Sequence, residues 1–353
     1  TGIGGMAFGT RGGMNRAFLT DCDAKDAKDG VGGGTYRPDT AINRMDLYEL
    51  WRLFVVQGLT AWFIKPQAWP ILCALMGRLN VALNPDRTMK SLPQIEAVRR
   101  GQPDMLSALA IERGFYAGRY EERLLYLRCY RPGGGLPLIR IHGQEHVDAA
   151  DEADKGIILW AGNFAFNDLI AKIAWSELGL DVSHYTRPVH GFSKTRFGLK
   201  VLNPVRTFIE NKYLYERVSA EENMVAAMRV LRRRLDEGGA ISITAGNRGR
   251  QLAEAPFLGG VLRLATGAPA LARASGATIL PVYTLRADDG SFDVTIGAPL
   301  TSQQSNKDAY AKEIVAQYAD QLAPYVRDFA DQWRGWRYTA ALDSAPLDSG
   351  SAA

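Results

Sequence analysis

The sequence predicts an α/β fold: a mixed, mostly parallel central sheet flanked by helices, with a helical element on its N-terminal side. Three observations carry that expectation. Residues 46–131 read as mostly helical. Arg131-Pro-Gly-Gly-Gly135 is the clearest break in the chain, because Pro and Gly punctuate regular structure. After the break, short apolar runs alternate with segments of helical spacing, and such alternation implies a sheet with helices on both faces.

The elements follow in order. Leu138-Ile-Arg-Ile141 is a short strand, and Gly156-Ile-Ile-Leu-Trp160 is a buried one. Residues 168–178 form a helix, with Leu169, Ile170, Ile173 and Ala174 at helical spacing and Gly179 as its stop. Ser219-Ala-Glu-Glu222 has capping-box spacing. It opens a helix with Val225, Met228, Leu231 and Leu235 on one face, ending at Gly238-Gly239. Ala240-Ile-Ser-Ile-Thr244 is the next strand, residues 262–274 a helix and residues 278–285 a strand. Asp288-Asp-Gly290 turns tightly into a strand over 292–296, and residues 306–333 close the fold as a long helix or helix pair.

The 353 residues allow two domains at ~150 residues each. The pattern favours one. Ten of the 36 glycines fall in the first 34 residues, so residues 1–44 read as a flexible Gly-rich tail. Residues 45–335 read as a single domain, helical over 45–131 with a core over 136–335, and residues 336–353 as a C-terminal tail.

Composition excludes several classes. Hydrophobic residues at 46% and charged ones at 23% are ordinary for a globular chain. A net charge of +4 is too weak to argue for nucleic acid as a partner. Cys22, Cys73 and Cys129 lie far apart with no CxxC pair, so no disulfide framework or zinc site is indicated. A reducing cytosolic setting is the default. Thr1-Gly-Ile-Gly-Gly lacks the basic and apolar regions of a signal peptide. No apolar run reaches the ~18–20 residues of a membrane span. The nearest, residues 53–64, is broken by Gln57 and followed by Lys65-Pro66, and residues 69–75 add a second apolar patch. Together they hold Trp51, Trp62 and Trp69, a type that favours the membrane–water interface. Two readings stay open: a pair of buried core helices, or a hairpin-like element lying on a bilayer.

Phosphate-loop, dinucleotide, HExxH and GxSxG motifs are all missing, and no metal or cofactor is expected. The informative segment is Trp160-Ala-Gly-Asn-Phe-Ala-Phe-Asn-Asp-Leu169. A buried strand runs into a short turn and then a helix. Open α/β sheets bind ligands at the carboxyl ends of their strands. A helix N-terminus there offers free N–H groups to an anion.

This segment resembles the first motif of the glycerolipid and lipid A acyltransferase superfamily, His-x4-Asp/Glu after a Gly. In that family the His is general base for the acceptor hydroxyl and the acid orients it. Here Asn163 stands in the His position, with Asp168 five residues on. An amide does not titrate usefully, so Asn163 is no general base of that kind. It is either a helix N-cap, which Asn favours, or part of a retained site with altered chemistry.

Three more segments resemble the superfamily in the same order. Thr207-Phe-Ile-Glu-Asn211 is similar to its second motif. Ile243-Thr-Ala-Gly-Asn-Arg-Gly-Arg250 is similar to its third, where Gly246 and Arg248 match and Ala245 replaces the acid. Leu280-Pro-Val282 is similar to its fourth. Tyr185-Thr-Arg-Pro188, Ile141-His-Gly-Gln-Glu-His146, Pro256-Phe-Leu-Gly259 and residues 271–277 resemble the lipid A late-acyltransferase branch.

The resemblance, over roughly residues 46–335, implies transfer of an acyl group from a thioester donor. The donor would be acyl carrier protein or CoA. The acceptor would be a lipid-like or hydrophobic hydroxyl or amine, at the cytoplasmic face of the inner membrane. If the N-terminal helices are core, the protein is simply cytoplasmic. A second hypothesis is a catalytically silent relative that binds acyl chains or lipids as partner of an active enzyme. The site residues implied are Asn163 and Asp168 for catalysis and Gly162, Arg187, Gly246 and Arg248 for substrate. Arg187 and Arg248 both follow strands, and an arginine fork suits phosphate. The turn at Gly162 is the expected source of oxyanion N–H groups. Asp168, His184 and His190 are the candidates for taking the acceptor's proton. Arg232-Arg-Arg234 is either a solvated face or a contact for anionic lipid or carrier protein.

Overall fold

The computed structural model describes residues 40–153, 155–186, 191–219 and 224–341. Residues 1–39 of the Gly-rich segment, Arg187, His190, the capping-box residues 220–222 and residues 342–353 lie outside the described residues.

The helical part opens with α1 (Arg44–Trp51), a π-helical stretch over Arg52–Gln57, and α2 (Gly58–Phe63). Asn43 caps α1 in a reciprocal box with Asp46. Then come α3 (Trp69–Leu83), α4 (Pro85–Arg99) and α5 (Ala108–Arg128). Helix α3 is apolar on two sides. Trp69, Cys73, Gly77 and Val81, four residues apart, are buried, while Ile71, Leu75, Leu79 and Leu83, also four apart, are exposed. The buried stripe packs against α5. A Cβ on Gly77 would lie 2.3 Å from the Arg113 carbonyl oxygen. Trp62 Nε1 donates to the Leu127 carbonyl at 3.1 Å and Arg128 to that of Ala61 at 3.1 Å, tying α2 to the end of α5.

Beyond the 131–135 break the chain runs through β1 (Ile139–His142), α6 (Gln144–Glu152), β2 (Ile157–Ala161), α7 (Asn167–Glu177) and β3 (Val182–Thr186). It continues through α8 (Pro204–Glu210), β4 (Glu216–Ser219), α9 (Met224–Asp236), β5 (Ala240–Thr244), β6 (Leu252–Phe257) and β7 (Gly260–Ala265). The last elements are α10 (Gly267–Ser275), β8 (Thr278–Arg286), β9 (Phe292–Ile296), α11 (Lys307–Asp328) and β10 (Thr339–Ala341). The main sheet has the order β1-β9-β8-β2-β5-β3-β4. Every neighbouring pair is parallel except β8 with β9, so the sheet is mixed and mostly parallel, as the alternation predicts.

Strand β2 is central, and all five of its residues are buried. That is the composition a strand needs when both faces are covered. Ile158 and Trp160 face a core shared with α9, α10 and α11, while Ile157 and Leu159 face one built on α6 and α7. A third core joins Leu53, Trp69 and Leu124 to Leu202 and Val205, so the helical layer is packed into the α/β part.

Three expectations are corrected. Residues 262–265 belong to β7, hairpinned to β6, and α10 begins only at Gly267. Leu262 and Leu264 bury on the core side while Arg263 bonds Glu254 across the pair at 2.7 Å, so cross-strand packing overrides helical spacing. On α9 the buried face is Ala227, Leu231 and Leu235, with Val225 exposed. Residues 336–341 are not tail: they form a 3-10 turn and β10, which pairs antiparallel with β7 and buries Trp336.

Candidate active site

The first motif sits where β2 ends, between its two parallel neighbours β5 and β8. Gly162 makes the turn. Its N–H donates to the Val282 carbonyl at 2.6 Å, and a Cβ there would lie 3.0 Å from the Phe164 ring. The Gly162 N–H is therefore committed to β8 and is not itself free for an oxyanion. The next N–H, that of Asn163, has no bond among the described residues.

Asn163 is not an N-cap either. Helix α7 starts at Asn167 with Phe166 in the cap position and no side-chain cap bond. The Asn163 side-chain amide instead donates to the Tyr338 hydroxyl at 2.7 Å, and the Asn163 backbone carbonyl accepts from the Arg334 backbone N–H at 2.7 Å. Tyr338 lies in the segment that the sequence placed in the tail.

Asp168 occupies the first turn of α7 and accepts from Arg206 at 2.5 Å. Arg206 also reaches Glu122 and Glu210, each at 3.0 Å, and the Tyr126 hydroxyl at 3.2 Å. Glu210, with no exposed side-chain surface, accepts from Lys172, Arg217 and the Tyr126 hydroxyl, each at 2.7 Å. Glu122 accepts in turn from Arg334 at 2.6 Å. Three helices build this network by the same device. Glu122 and Tyr126 on α5, Asp168 and Lys172 on α7, and Arg206 and Glu210 on α8 are each four residues apart, on one helical face.

Burial opposes the charge of Arg206, but the pull of Tyr126, Glu122, Asp168 and Glu210 prevails and raises its pKa well above the ordinary arginine value. Burial lowers the Lys172 pKa, with Glu210 and Asp168 partly offsetting it. Burial raises the Tyr126 pKa well above the ordinary phenol value, so this hydroxyl is a donor at neutral pH. Breaking one member of such a network strands the others in a medium that penalises lone charge.

The third motif lies at the end of β5. A Cβ on Gly246 would lie 3.5 Å from the Tyr338 hydroxyl, and Asn247 donates to the Arg337 carbonyl at 3.3 Å. Tyr338 thus joins the first motif to the third. Arg248 is exposed, with no ion pair among the described residues. The fourth motif is inside β8, with Val282 opposite Ala161. His184 is not in the segment after a strand but within β3, buried, with Nδ1 3.2 Å from the Ser242 hydroxyl. Burial and then Lys172 push its pKa well down, so it is neutral and walled off. Arg232, Arg233 and Arg234 pair with Asp236, Glu237 and Glu216, as a solvated face does. Burial pushes the Cys73 thiol up to about 12 and the Cys129 thiol up to about 11, so neither is a ready nucleophile.

Beside Asp168 opens a cleft of about 190 Å³, lined by Arg119, Glu122, Arg123, Tyr126, Arg206 and Arg334 among others. The sequence did not single out Glu122, Arg206, Glu210, Arg334 or Tyr338 as site residues. Glu210 lay within the second-motif segment, Glu122 and Arg206 carried only a four-residue polar spacing on their helices, and Arg334 and Tyr338, outside any α-helix, carried no signal.

Open α/β sheets bind ligands outside the carboxyl ends of their strands, and the first motif lies at such an end, that of the central strand β2. The family model for bacterial lipid A biosynthesis acyltransferases matches residues 136–335, and the chain belongs to that family. No curated protein matches it. The match covers the motifs, Arg206, Glu210 and Arg334, while Glu122, Tyr126 and Tyr338 lie outside it.

Proposed function

We propose that the protein moves an acyl group from a thioester donor, acyl carrier protein or CoA, to a hydroxyl or amine on a lipid-like acceptor. The observation that carries this reading is family membership together with the first-motif turn at the end of β2, with Asn163 and Asp168 held by separate partners. The acceptor attacks the thioester carbonyl, the C–S bond breaks, and the thiol leaves with the acceptor's proton. Asn163 supplies hydrogen bonds to the developing oxyanion, from its N–H, which has no partner among the described residues, and from an amide oriented by Tyr338. Asp168, engaged by Arg206, orients the turn rather than taking the proton. An amine arriving neutral needs no strong base, which suits a site with Asn at the motif position.

The same reading places the protein on the cytoplasmic face of the inner membrane, as a peripheral protein. No helix among the described residues is long and apolar enough to cross a membrane. The exposed stripe of α3 and the exposed Trp51, Phe54, Leu59 and Phe63 of the first helices favour a protein that lies on a bilayer. Residues 45–335, extended by the turn and strand over 336–341, then act as one domain, with 45–131 as its membrane-facing part.

Purified full-length protein, given acyl carrier protein or CoA thioesters and lipid extract, is expected to release free thiol and yield an acylated lipid detectable by mass spectrometry. Binding of lipid with no thiol release from either donor would favour the silent-relative reading instead.

A further inference from the structure

We propose that the Tyr338 hydroxyl is the proton-transfer group of the site, giving a proton to the leaving sulfur and collecting the one the acceptor sheds; the inference rests on the acyl-transfer reading above. Tyr338 ends the 3-10 turn Gly335–Tyr338, past residue 335 where the family match stops, so no motif carries it. The chain before it is fastened to the first-motif turn through the backbone. The Ala165 N–H donates to the Gln332 carbonyl at 2.8 Å, the Arg334 N–H donates to the Asn163 carbonyl at 2.7 Å, and Phe164 pairs with Trp333 as an isolated antiparallel bridge. The chain after it is fixed by the pairing of β10 with β7. A hydroxyl held between two such anchors keeps its place relative to Asn163 without help from a substrate. Tyr338 is half-buried, so a ligand at the strand ends can touch it.

The Tyr338 oxygen accepts from the Asn163 side-chain amide at 2.7 Å, so its own proton points away from that amide. The hydroxyl also stands beside the end of β5. A Cβ on Gly246 would lie 3.5 Å from it, and the three atoms nearest that Cβ all belong to Tyr338. Glycine at 246 thus leaves room beside the phenol. The other titratable groups around the turn are committed or walled off. Asp168 bonds Arg206, and His184 is buried in β3 against Ser242. Tyr283 and Tyr318 are fully buried and touch no ligand. The step balances. The acceptor's oxygen or nitrogen bonds to the thioester carbonyl carbon and the C–S bond breaks. Tyr338 gives its phenol proton to the sulfur and takes the acceptor's proton, so nothing is oxidised and the tyrosine ends as it began. A phenol and an alkyl thiol titrate within about two units of each other, so the exchange has no steep step. While the phenol is ionised, the Asn163 amide donates to its charge, and a hydrogen bond to the charged form stabilises it. Asparagine suits this position because an amide always offers N–H donors.

Thiol release by the full chain, with lipid extract as acceptor, tests this with two donors of one acyl chain. The first is the dodecanoyl thioester of CoA, or of acyl carrier protein where that is the carrier the native chain turns over. The second is the dodecanoyl thioester of para-nitrothiophenol. An alkyl thiolate leaves well only as it gains a proton, whereas the nitroaryl thiolate leaves without one. Tyr338→Phe keeps the ring and loses the proton. It is expected to lower release from the alkyl thioester about a hundredfold or more, the scale of one acid–base group, and release from the aryl thioester less than about threefold. An equal loss with both donors makes Tyr338 only a positioning residue for Asn163 and overturns the proposal, as does no loss with either. Tyr318→Phe removes a buried hydroxyl with no partner among the described residues and should change neither rate. A selective loss in that variant overturns the assignment to Tyr338. Should Tyr338→Phe fail to fold, the native chain answers across alkyl and aryl thioesters of graded thiol acidity. Release should vary less than about tenfold over the series, because the acid assists the poorer leaving groups, and a steep rise with thiol acidity overturns the proposal. A native chain that releases thiol from none of these donors ends the acyl-transfer reading and this proposal with it; release with a uniform loss in Tyr338→Phe ends the proposal alone.

Discussion

Glu210 shows how one residue holds several others in place. Its buried carboxylate faces Lys172, Arg206 and Arg217 together. Glu210→Ala leaves those cations uncompensated and is expected to cost about 3–5 kcal/mol in urea unfolding. Glu210→Gln keeps an acceptor and should cost less. His184 gives a pH test with a definite sign. Its folded pKa is depressed, so the unfolded chain binds the extra proton first. Stability from this group is complete above about pH 6.5, the unfolded value, and falls as pH drops below it. Unfolding measured from pH 7.5 to 5 should show a smaller acid loss in His184→Asn than in the native chain. At this scale the sequence marks Asn163 and Asp168 through the first motif and Gly246 through the third. It does not mark their partners, because Glu122, Arg206, Arg334 and Tyr338 come from distant stretches and only folding makes them neighbours.

Helix α3 carries two apolar stripes, and each has its own consequence. The inner stripe depends on Gly77, where added bulk meets the backbone of α5. Gly77→Ala should push the helices apart and cost about 1–3 kcal/mol, despite alanine's better helix propensity, as read from the denaturant midpoint. A gain in stability would show that α3 does not pack as described. Elements were legible where period and length agreed, as in β2, β5, β9 and α11. The β6–β7 hairpin was not. Its strand is short, and Leu264, Ala268 and Leu271 mimic helical spacing when the partner strand is unseen. The order β10-β7-β6 also draws residues 339–341 into a second sheet, which no local pattern near the C-terminus announces.

For the whole molecule, the outer stripe of α3 and the exposed aromatics of α1 and α2 bear on where the protein works. A helix apolar on both sides is expected to be covered on both. The basic residues Arg44, Lys65, Arg78 and Lys90 on this layer favour an anionic lipid surface as the cover. Phe63→Ser, Ile71→Ser and Leu75→Ser together should lower sedimentation with phosphatidylglycerol vesicles about tenfold or more, with an unchanged melting temperature. Undiminished sedimentation would remove this face as the contact. The seven-stranded sheet, the helical layer packed on it and the motifs along its strand ends form one arrangement around the turn after β2. Asp168 joins the helix that follows that turn to the buried network through Arg206.

The most direct test is thiol release by the full-length protein on anionic vesicles, with acyl carrier protein and CoA thioesters, compared with Asp168→Ala. The account predicts release by the native chain and a loss of about a hundredfold or more in the variant, since misplacing a positioned group costs on that order. Thiol release that persists in Asp168→Ala at the native rate would contradict it.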